Sequence, residues 1–535
     1  MTSMHGRSVA LMLALVILAI VIHATALGGF WLYDDPVVLE EAIRQSTPAL
    51  LFNPSEYTHL STASFTPVVL LSFKLDWQLR GADPRVFYTD QLLVLIAATL
   101  LTYFLLRRYV PDLYAALGSG VFITSWAAVY AARTLMIRHY VDGLAFALAA
   151  MLVWRRSKVL AALLYLLAML SKEVYAPIPL FFICQSRFEG RRWRDIARDL
   201  IAPAIAAVVF LVWRSRMTEM TEASELIPAQ SKLMTLPRAL WVHLTGPEAP
   251  MWAQAAWAIC IAVALALFIW RFRARAIAVL AASLIVMLLP IVPLAANFEW
   301  RYSFAFVFFT IATVTIALGT SGKRWAIGIL ALLFVTTLVT SFQQRRYYED
   351  LTRNGIALEG RYVWTQSANA PAIAASSAAW YLDGLRWIRK YDHRGDGPPA
   401  VYSPYAITVG GMDPARIMTV SRGRIVPITS TTTFGTPADW QLARARFDPS
   451  APLSVEFAVR NHDAQWRLGP PGGRFVFLTD PGYTAIPIPS VGKQHVPVPR
   501  DPQRFRIVRE GKDGRWTVSP PLPIPAEGSV TTWRH

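Results

Sequence analysis

A succession of apolar runs is the feature that most restricts how this chain folds. The runs lie near residues 9–30, 91–106, 113–132, 140–154, 159–171, 174–185, 200–213, 254–270, 276–296, 303–319 and 325–341. A membrane-spanning helix needs roughly 20 apolar residues, and a helix satisfies its own backbone polar groups in lipid. The sequence therefore predicts a polytopic α-helical membrane protein with about eleven transmembrane helices.

The composition agrees with this class. Hydrophobic residues make up 54% of the chain and charged residues 16%, and the mean hydropathy is +0.37, which is too apolar for an ordinary soluble enzyme. The first run alone resembles a signal peptide, because it follows Arg7 and ends in small residues. The many similar runs after it favour a retained span.

Basic residues predict the orientation. Sixteen Lys and Arg residues lie at Arg7, Arg107–Arg108, Arg155–Lys158, 187–198, 271–275 and Lys323–Arg324. Cytoplasmic loops carry such an excess, so the N-terminus is predicted to be cytoplasmic. Asp34–Asp35, Lys172–Glu173, Glu299–Tyr302 and everything after about residue 342 then lie outside. The net charge of +17 is largely this topological signal, so no nucleic-acid partner is expected.

A change in composition after residue 342 divides the chain. Residues 1–342 are predicted to form the transmembrane domain, and apolar residues at helical spacing predict a helical extracytoplasmic connector at 343–396. From 397 to 535, Pro and Gly separate short apolar runs, namely ITVGG, RIVPITS, LSVEFAV, RFVFLTD and RFRIVRE. This pattern predicts an extracytoplasmic β-rich domain with a binding or scaffolding role.

Two adjacent carboxylates, Asp34 and Asp35, follow the first apolar run. One of them suffices to cap a short helix at Pro36–Gln45. Two neighbouring acids at a membrane boundary repel each other unless they hold a proton, a metal or a cationic partner. Capping and a functional role both remain open on this pattern.

Further charged residues lie on the predicted outer side. Lys172 either pairs with Glu173 at a helix end or binds a phosphate. Arg138 with His139, and Glu299 with Arg301, depart from the positive-inside trend, for which an anionic lipid head group is the simplest reason. A lone histidine such as His139 is more often structural than catalytic.

The first outer loop predicts a cover over a cavity. Its segment Pro67–Leu79 is too short and too polar to span, and it is typical of an interfacial helix anchored by Lys74 and Trp77. Carboxylates and cations at head-group level suit a reaction with a lipid-linked phosphate as leaving group. A carboxylate serves there as general base and cations stabilise the departing phosphate.

Four stretches, in order, resemble a known family. They are the Asp34–Asp35 pair, FTPVVLLSFKLDWQLRGADPRVFYTDQL at 65–92, LLYLLAMLSKEVYAPIPL at 163–180 and FEWRYSFAFV at 298–307. Their order resembles the C-type membrane glycosyltransferases (GT-C fold), in the branch related to protein O-mannosyltransferases that carries tetratricopeptide repeats. The resemblance covers roughly residues 25 to 320.

The resemblance implies transfer of a sugar, with inversion, from a polyprenyl-phosphate donor to an extracytoplasmic acceptor, which is a protein, a lipid or a surface glycan. It implies Asp34 as general base, with Asp35 supporting it or helping to hold a divalent cation (Mg or Mn). It also implies that Lys172, Arg301 and Arg138 bind the donor phosphate. Supporting residues would be Glu173, Glu299, His139 and Tyr302.

The chain departs from the family pattern at several positions. Tyr88 stands where the family has His, Gln91 where it has Asn, and Trp300 interrupts the late Glu-Arg-Tyr motif. A β-rich domain also replaces the tetratricopeptide repeats, which leaves the acceptor open. Two alternatives are a translocator of lipid-linked sugar or polysaccharide and a purely structural assembly protein. The predicted location is a bacterial inner membrane, with the C-terminal domain in the periplasm.

Overall fold

The computed structural model describes a helical N-terminal part and a β-rich C-terminal part. The described residues are 2–32, 35–57, 65–218, 238, 240–246, 249–272, 303–364, 373–374, 400–401, 404–409, 418–421, 423–427, 437–460, 463–480, 485–495 and 504–535. They pack as two compact units, Met1–Phe30 with Val37–Glu349 and Trp31–Pro36 with Asp350–His535. The predicted domain boundaries at 342 and 396 remain predictions.

The first unit consists of helices. In chain order they are α1 (Thr2–His23), α2 (Asp35–Arg44), α3 (Thr47–Phe52), α4 (Pro54–Tyr57), α5 (Pro67–Arg80), α6 (Pro84–Leu106), α7 (Asp112–Thr124), α8 (Trp126–Arg133), α9 (Arg138–Val153), α10 (Lys158–Ser171), α11 (Ile178–Phe188), α12 (Trp193–Asp199), α13 (Ile201–Met217), α14 (Met251–Phe272), α15 (Ser303–Thr320) and α16 (Trp325–Trp364). Helices α2 and α16 each begin in one unit and end in the other.

Several of these helices can span a membrane. Among the described residues, five are long and apolar enough, namely Gly6–Gly28, Pro84–Leu106, Leu135–Val153, Met251–Arg271 and Trp325–Ala357. Two bent pairs raise the number to seven, with α7 and α8 meeting at 52° and α12 and α13 at 41°. The protein is thus a multi-pass membrane protein. The predicted span at 276–296 lies outside the described residues.

The predicted interfacial helix of the first loop is present as α5. Its apolar stripe, which includes Val69 and Phe73, is buried, whereas Leu75 and Leu79 on the other side are exposed. Lys74, one of its two predicted interfacial anchors, donates its ammonium to the carbonyl of Ala42 at 3.3 Å and to that of Gln45. Lys74 therefore joins α5 to the end of α2.

The helical connector predicted at 343–396 is described only in part. Helix α16 is 40 residues long and ends at Trp364, and strand β1 (Ile373–Ala374) lies inside the predicted connector. The tryptophan-rich stretch at 380–388 lies outside the described residues. The described helical part of the connector is thus the end of a helix that begins at Trp325.

The C-terminal unit is rich in β-strands, as the sequence predicts. They are β1, β2 (Ala400–Val401), β3 (Met418–Ser421), β4 (Arg424–Pro427), β5 (Ser454–Arg460), β6 (Asp463–Gly469), β7 (Arg474–Asp480), β8 (Ala485–Ile488), β9 (Val491–His495), β10 (Arg504–Glu510), β11 (Trp516–Val518), β12 (Leu522–Pro523) and β13 (Val530–Arg534). Four of the five apolar runs contribute strands. The ITVGG run does not, because it enters helix α17 (Pro404–Val409).

Three sheets are formed by these strands. Their strand orders are β2-β1-β3-β4, β11-β10-β7-β8 with β12 beside β10, and β13-β5-β6-β9. The second and third sheets share an apolar core in which the rings of Phe457 and Phe505 lie 4.7 Å apart. The opposite face of the second sheet is covered by α17 and α18 (Pro437–Ala445), where the Trp516 indole donates to the Ala443 carbonyl at 2.6 Å.

Candidate functional site

Lys172 directly follows a helix that is too short to span a membrane alone. Helix α10 has 14 residues and is therefore about 21 Å long, against a hydrocarbon core of about 30 Å. Ser157 caps its start by accepting from the Leu160 amide at 3.1 Å. At Lys172 the backbone becomes extended, and a 3₁₀ turn at Glu173–Tyr175 follows. This change of direction places charged side chains at the end of the helix.

The ammonium of Lys172 lies 3.0 Å from Glu173 Oε1 and 5.8 Å from the centre of the Tyr140 ring. Its side chain is 10% exposed. Burial alone would raise the pKa of Glu173, but the charges of Lys172 and Arg214 and the hydrogen bonds of the carboxylate outweigh burial and hold its pKa below the ordinary value. The Lys172 ammonium is thus largely removed from bulk water and lies beside a carboxyl group whose charged form is favoured.

Tight packing on α9 supports this pair. The Tyr175 hydroxyl donates to the Tyr140 carbonyl at 2.5 Å. Gly143 makes room for the Tyr175 ring, since a β-carbon there would lie 2.3 Å from a ring carbon. His139 is buried and its ring centre lies 4.5 Å from that of Tyr140. The structure thus brings His139, Lys172 and Glu173 to one place.

Residues of the first outer loop also lie close to Glu173 and to α13. Trp213 on α13 donates to the Leu51 carbonyl at 2.7 Å, and its ring stacks on Phe52 at 5.5 Å. Tyr57 is buried, and burial raises the pKa of its hydroxyl, to which the charges of Glu173 and Glu41 add while hydrogen bonds with Thr66 oppose. Tyr57 is therefore close enough to both Glu173 and Glu41 to interact with each of them electrostatically.

Arg138 differs from Lys172, because neighbouring helices engage its guanidinium. Nη1 donates to Asp76 Oδ2 at 2.6 Å and to Ser72 Oγ at 2.7 Å, Nη2 donates to the Phe87 carbonyl, and Nε donates to Gln91 Oε1 at 3.4 Å. Its side chain is fully buried, and the Phe73 ring centre lies 4.8 Å away. This geometry favours a role in joining α5, α6 and α9 over a role in binding phosphate.

Arg138 has two acidic partners that sequence reasoning missed, namely Asp76 at 2.6 Å and the more exposed Asp90 at 3.4 Å. Burial raises the pKa of the Asp76 carboxyl, although the Arg138 guanidinium acts in the opposite direction. A signal was present in the sequence, because Val69, Phe73 and Asp76 recur at the spacing of one helix face. A carboxylate on an otherwise apolar stripe requires a buried partner.

Tyr88 and Gln91, the two residues of α6 at which the sequence departs from the family pattern, have structural roles. The Tyr88 hydroxyl donates to the Phe30 carbonyl at 2.8 Å and to that of Arg133 at 3.2 Å. Gln91 donates to the carbonyls of Ala131 and Thr134, the latter at 3.0 Å. Both side chains thus hold α6 against the end of α8.

The acidic pair at the first loop is described only in part. Asp34 lies outside the described residues, and so do Glu299, Arg301 and Tyr302. Asp35 is buried at the start of α2, and its Oδ2 accepts from the Leu32 amide at 2.8 Å. The helix predicted at Pro36–Gln45 is present as Asp35–Arg44. One oxygen of Asp35 is thus occupied by a local hydrogen bond.

A divalent cation was left open for the acidic pair. Within the described part of the chain, no group of three or more His, Cys, Asp or Glu side chains could hold a metal ion. Asp34 lies outside the described residues, so this finding does not extend to metal binding by the Asp34–Asp35 pair. The described residues thus supply no complete ligand set.

The chain was compared with known proteins. No protein-family model and no curated protein matches it. It is similar to the crystal structure of ArnT from Cupriavidus metallidurans in the apo state, with a TM-score of 0.46, 13% identity and coverage of 72% of this chain and 88% of that one. The structure of the same protein bound to undecaprenyl phosphate gives a TM-score of 0.39, 12% identity and coverage of 72% and 89%. Similarities of this size assign neither site nor activity to this chain.

Proposed function

We propose that this protein is a GT-C-type glycosyltransferase that moves a sugar from a polyprenyl-phosphate donor to an extracytoplasmic acceptor. The observation that carries the proposal is the largely buried Lys172, which lies at the end of a short helix beside Glu173 and Tyr140. A desolvated cation at that position suits the phosphate of a lipid-linked substrate. The order of the four family-like motifs supports the same reading.

In the proposed reaction, Asp34 accepts the proton of the acceptor hydroxyl. The acceptor oxygen attacks the anomeric carbon while the bond from that carbon to the phosphate oxygen breaks, and the sugar configuration inverts. The electron pair leaves with the polyprenyl phosphate, whose developing charge Lys172 stabilises. Arg301 is proposed as a second phosphate ligand.

Three further assignments belong to this proposal. Asp35 keeps the first loop in place through its bond to the Leu32 amide. Mg or Mn at the acidic pair would supply positive charge near the phosphate. The bacterial inner membrane is the proposed location, with residues after 342 in the periplasm.

A lipid-sugar translocator is the alternative. Such a protein would use charges midway along its spans to line a path. The described buried arginines lie at helix ends, and the guanidinium of Arg133 donates to the Ile22 carbonyl at 3.2 Å and to Thr25 Oγ1 at 2.9 Å. The guanidinium of Arg138 likewise donates to a neighbouring helix, to the carboxylate of Asp76. These contacts favour the transferase.

The test uses the full-length protein in detergent with a panel of polyprenyl-phosphate sugars. The transferase account predicts release of polyprenyl phosphate together with a glycosylated acceptor or free sugar. Movement of intact lipid-linked sugar across a vesicle bilayer, without cleavage of any donor, would establish the translocator instead.

A further inference from the structure

A second charged region lies at the opposite end of α10 from Lys172. Residues 155–158 and 187–199 together carry eight cations and three carboxylates. The cations are Arg155, Arg156, Lys158, Arg187, Arg191, Arg192, Arg194 and Arg198. We call this region the basic surface. The length of α10 separates it from Lys172 by about 21 Å, so it is distinct from the proposed donor site.

The basic surface rests on a packed base. Trp154 stacks on Phe182 with ring centres 4.2 Å apart, and its indole donates to Ser186 Oγ at 3.2 Å. The ammonium of Lys158 lies 4.0 Å from the centre of the same indole. Ile196 of α12 is 1% exposed. These contacts join the end of α9 to α10 and α11, and the burial of Ile196 shows that one face of α12 is packed.

Two of the three carboxylates in the basic surface are already paired. Glu189 lies 2.6 Å from Arg155, and Asp199 pairs with Arg191 and, at 3.5 Å, with Lys158. Asp195 is the third. The surface therefore keeps a net positive charge after its internal ion pairs are formed.

The surplus positive charge is exposed on α12 and on Arg192, the residue that precedes it. Arg192, Arg194 and Arg198 are exposed, and none of the three forms an ion pair among the residues that the structure describes. Trp193 lies among them and is 63% exposed, with the Arg187 guanidinium 4.8 Å from its ring centre. Arginines around an outward tryptophan, next to membrane-spanning helices, are typical of contact with lipid head groups.

We propose that α12 binds the head group of an anionic phospholipid on the membrane face opposite to the donor site. Arg192, Arg194 and Arg198 contact the phosphate oxygens, because a guanidinium offers paired donors to phosphate. Trp193 lies in the interfacial layer beside the glycerol region. The proposal does not depend on the glycosyl-transfer reaction.

The test measures lipid binding by the full-length protein in neutral detergent. Phosphatidylglycerol and phosphatidylcholine with identical acyl chains are added in turn, and retained lipid is counted by native mass spectrometry. We expect phosphatidylglycerol to bind at least tenfold more tightly and to be released as salt rises from 50 to 500 mM. Equal retention of the two lipids, or no effect of salt, would overturn the proposal.

Variants locate the site. The triple variant R192Q/R194Q/R198Q is expected to lose the tenfold preference. A control removes three exposed arginines of the C-terminal unit, R460Q/R467Q/R534Q, and should keep it. If the first triple variant does not fold, Trp193→Ala and the charge-preserving R192K/R194K/R198K replace it, and both should weaken phosphatidylglycerol binding at least threefold. Wild-type binding in all of these variants, or equal occupancy by inorganic phosphate, would contradict a lipid site at α12.

Discussion

Arg138 and Asp76 form a buried ion pair, with 2.6 Å between Nη1 and Oδ2 and side chains that are 0% and 4% exposed. Asp76→Asn should lower the free energy of unfolding by about 2 to 3 kcal/mol, because the buried guanidinium then keeps only the more exposed Asp90, 3.4 Å from Nη1, as counter-charge. Thermal unfolding in detergent measures this change. Arg80→Gln, at the exposed end of the same helix, is the control and should change little.

A double variant separates charge from packing. Asp76→Leu with Arg138→Met removes both charges, so it should recover a large part of the stability that Asp76→Asn loses. Donor binding should survive in the double variant, because the contacts of Arg138 are internal. Loss of donor binding in a folded double variant would indicate instead that Arg138 binds the donor phosphate.

Gly29 lies against the ring of Tyr88, and a β-carbon at Gly29 would be 2.3 Å from a ring carbon. Gly29→Ala should therefore cost about 1 to 3 kcal/mol of stability through overpacking. Gly28 has no atom near its β-carbon position, so Gly28→Ala is a matched control. Equal melting temperatures of the two variants would show that Tyr88 moves aside.

Much of the fold was predictable from the sequence, because spans and strands follow local hydrophobic patterns. The short helix α10 and the first-loop helix α5 are both present where the patterns predict them, whereas the interfacial position of α5 stays a prediction. The ITVGG run was mispredicted, since a β-branched run of that length is equally compatible with a short helix when neighbouring elements bury it.

The site was less predictable. The position of Lys172 followed from the break between two apolar runs. The structural role of Arg138 could not be predicted in this way. Its partners Asp76 and Gln91 come from α5 and α6, and pairing between residues so far apart in the chain produces no pattern in the residues around Arg138.

Lys172 is predicted to bind the donor phosphate. Lys172→Ala should raise the KM for a polyprenyl-phosphate sugar at least about tenfold, the value of one charge-assisted hydrogen bond, and Lys172→Arg should retain part of the affinity. Lys158→Ala, at the other end of the same helix, is the control in the same steady-state assay. An unchanged KM in folded Lys172→Ala would remove Lys172 from the donor site.

Glu173 competes with the donor for Lys172 in this account. Glu173→Gln should lower the donor KM by about fivefold, because a partly exposed ion pair of about 1 kcal/mol no longer neutralises the ammonium. The same variant should be somewhat less stable to heat. A higher donor KM would show instead that Glu173 holds Lys172 in its binding position.

The most direct test of the central claim is transfer of radiolabelled sugar from a polyprenyl-phosphate donor by wild type, Asp34→Asn and Asp35→Asn. The account predicts transfer by wild type, a loss of kcat of about 100-fold or more in Asp34→Asn with donor binding retained, and mainly a loss of stability in Asp35→Asn. Transfer by Asp34→Asn at the wild-type rate, or no cleavage of any donor by the folded wild-type protein, would contradict it.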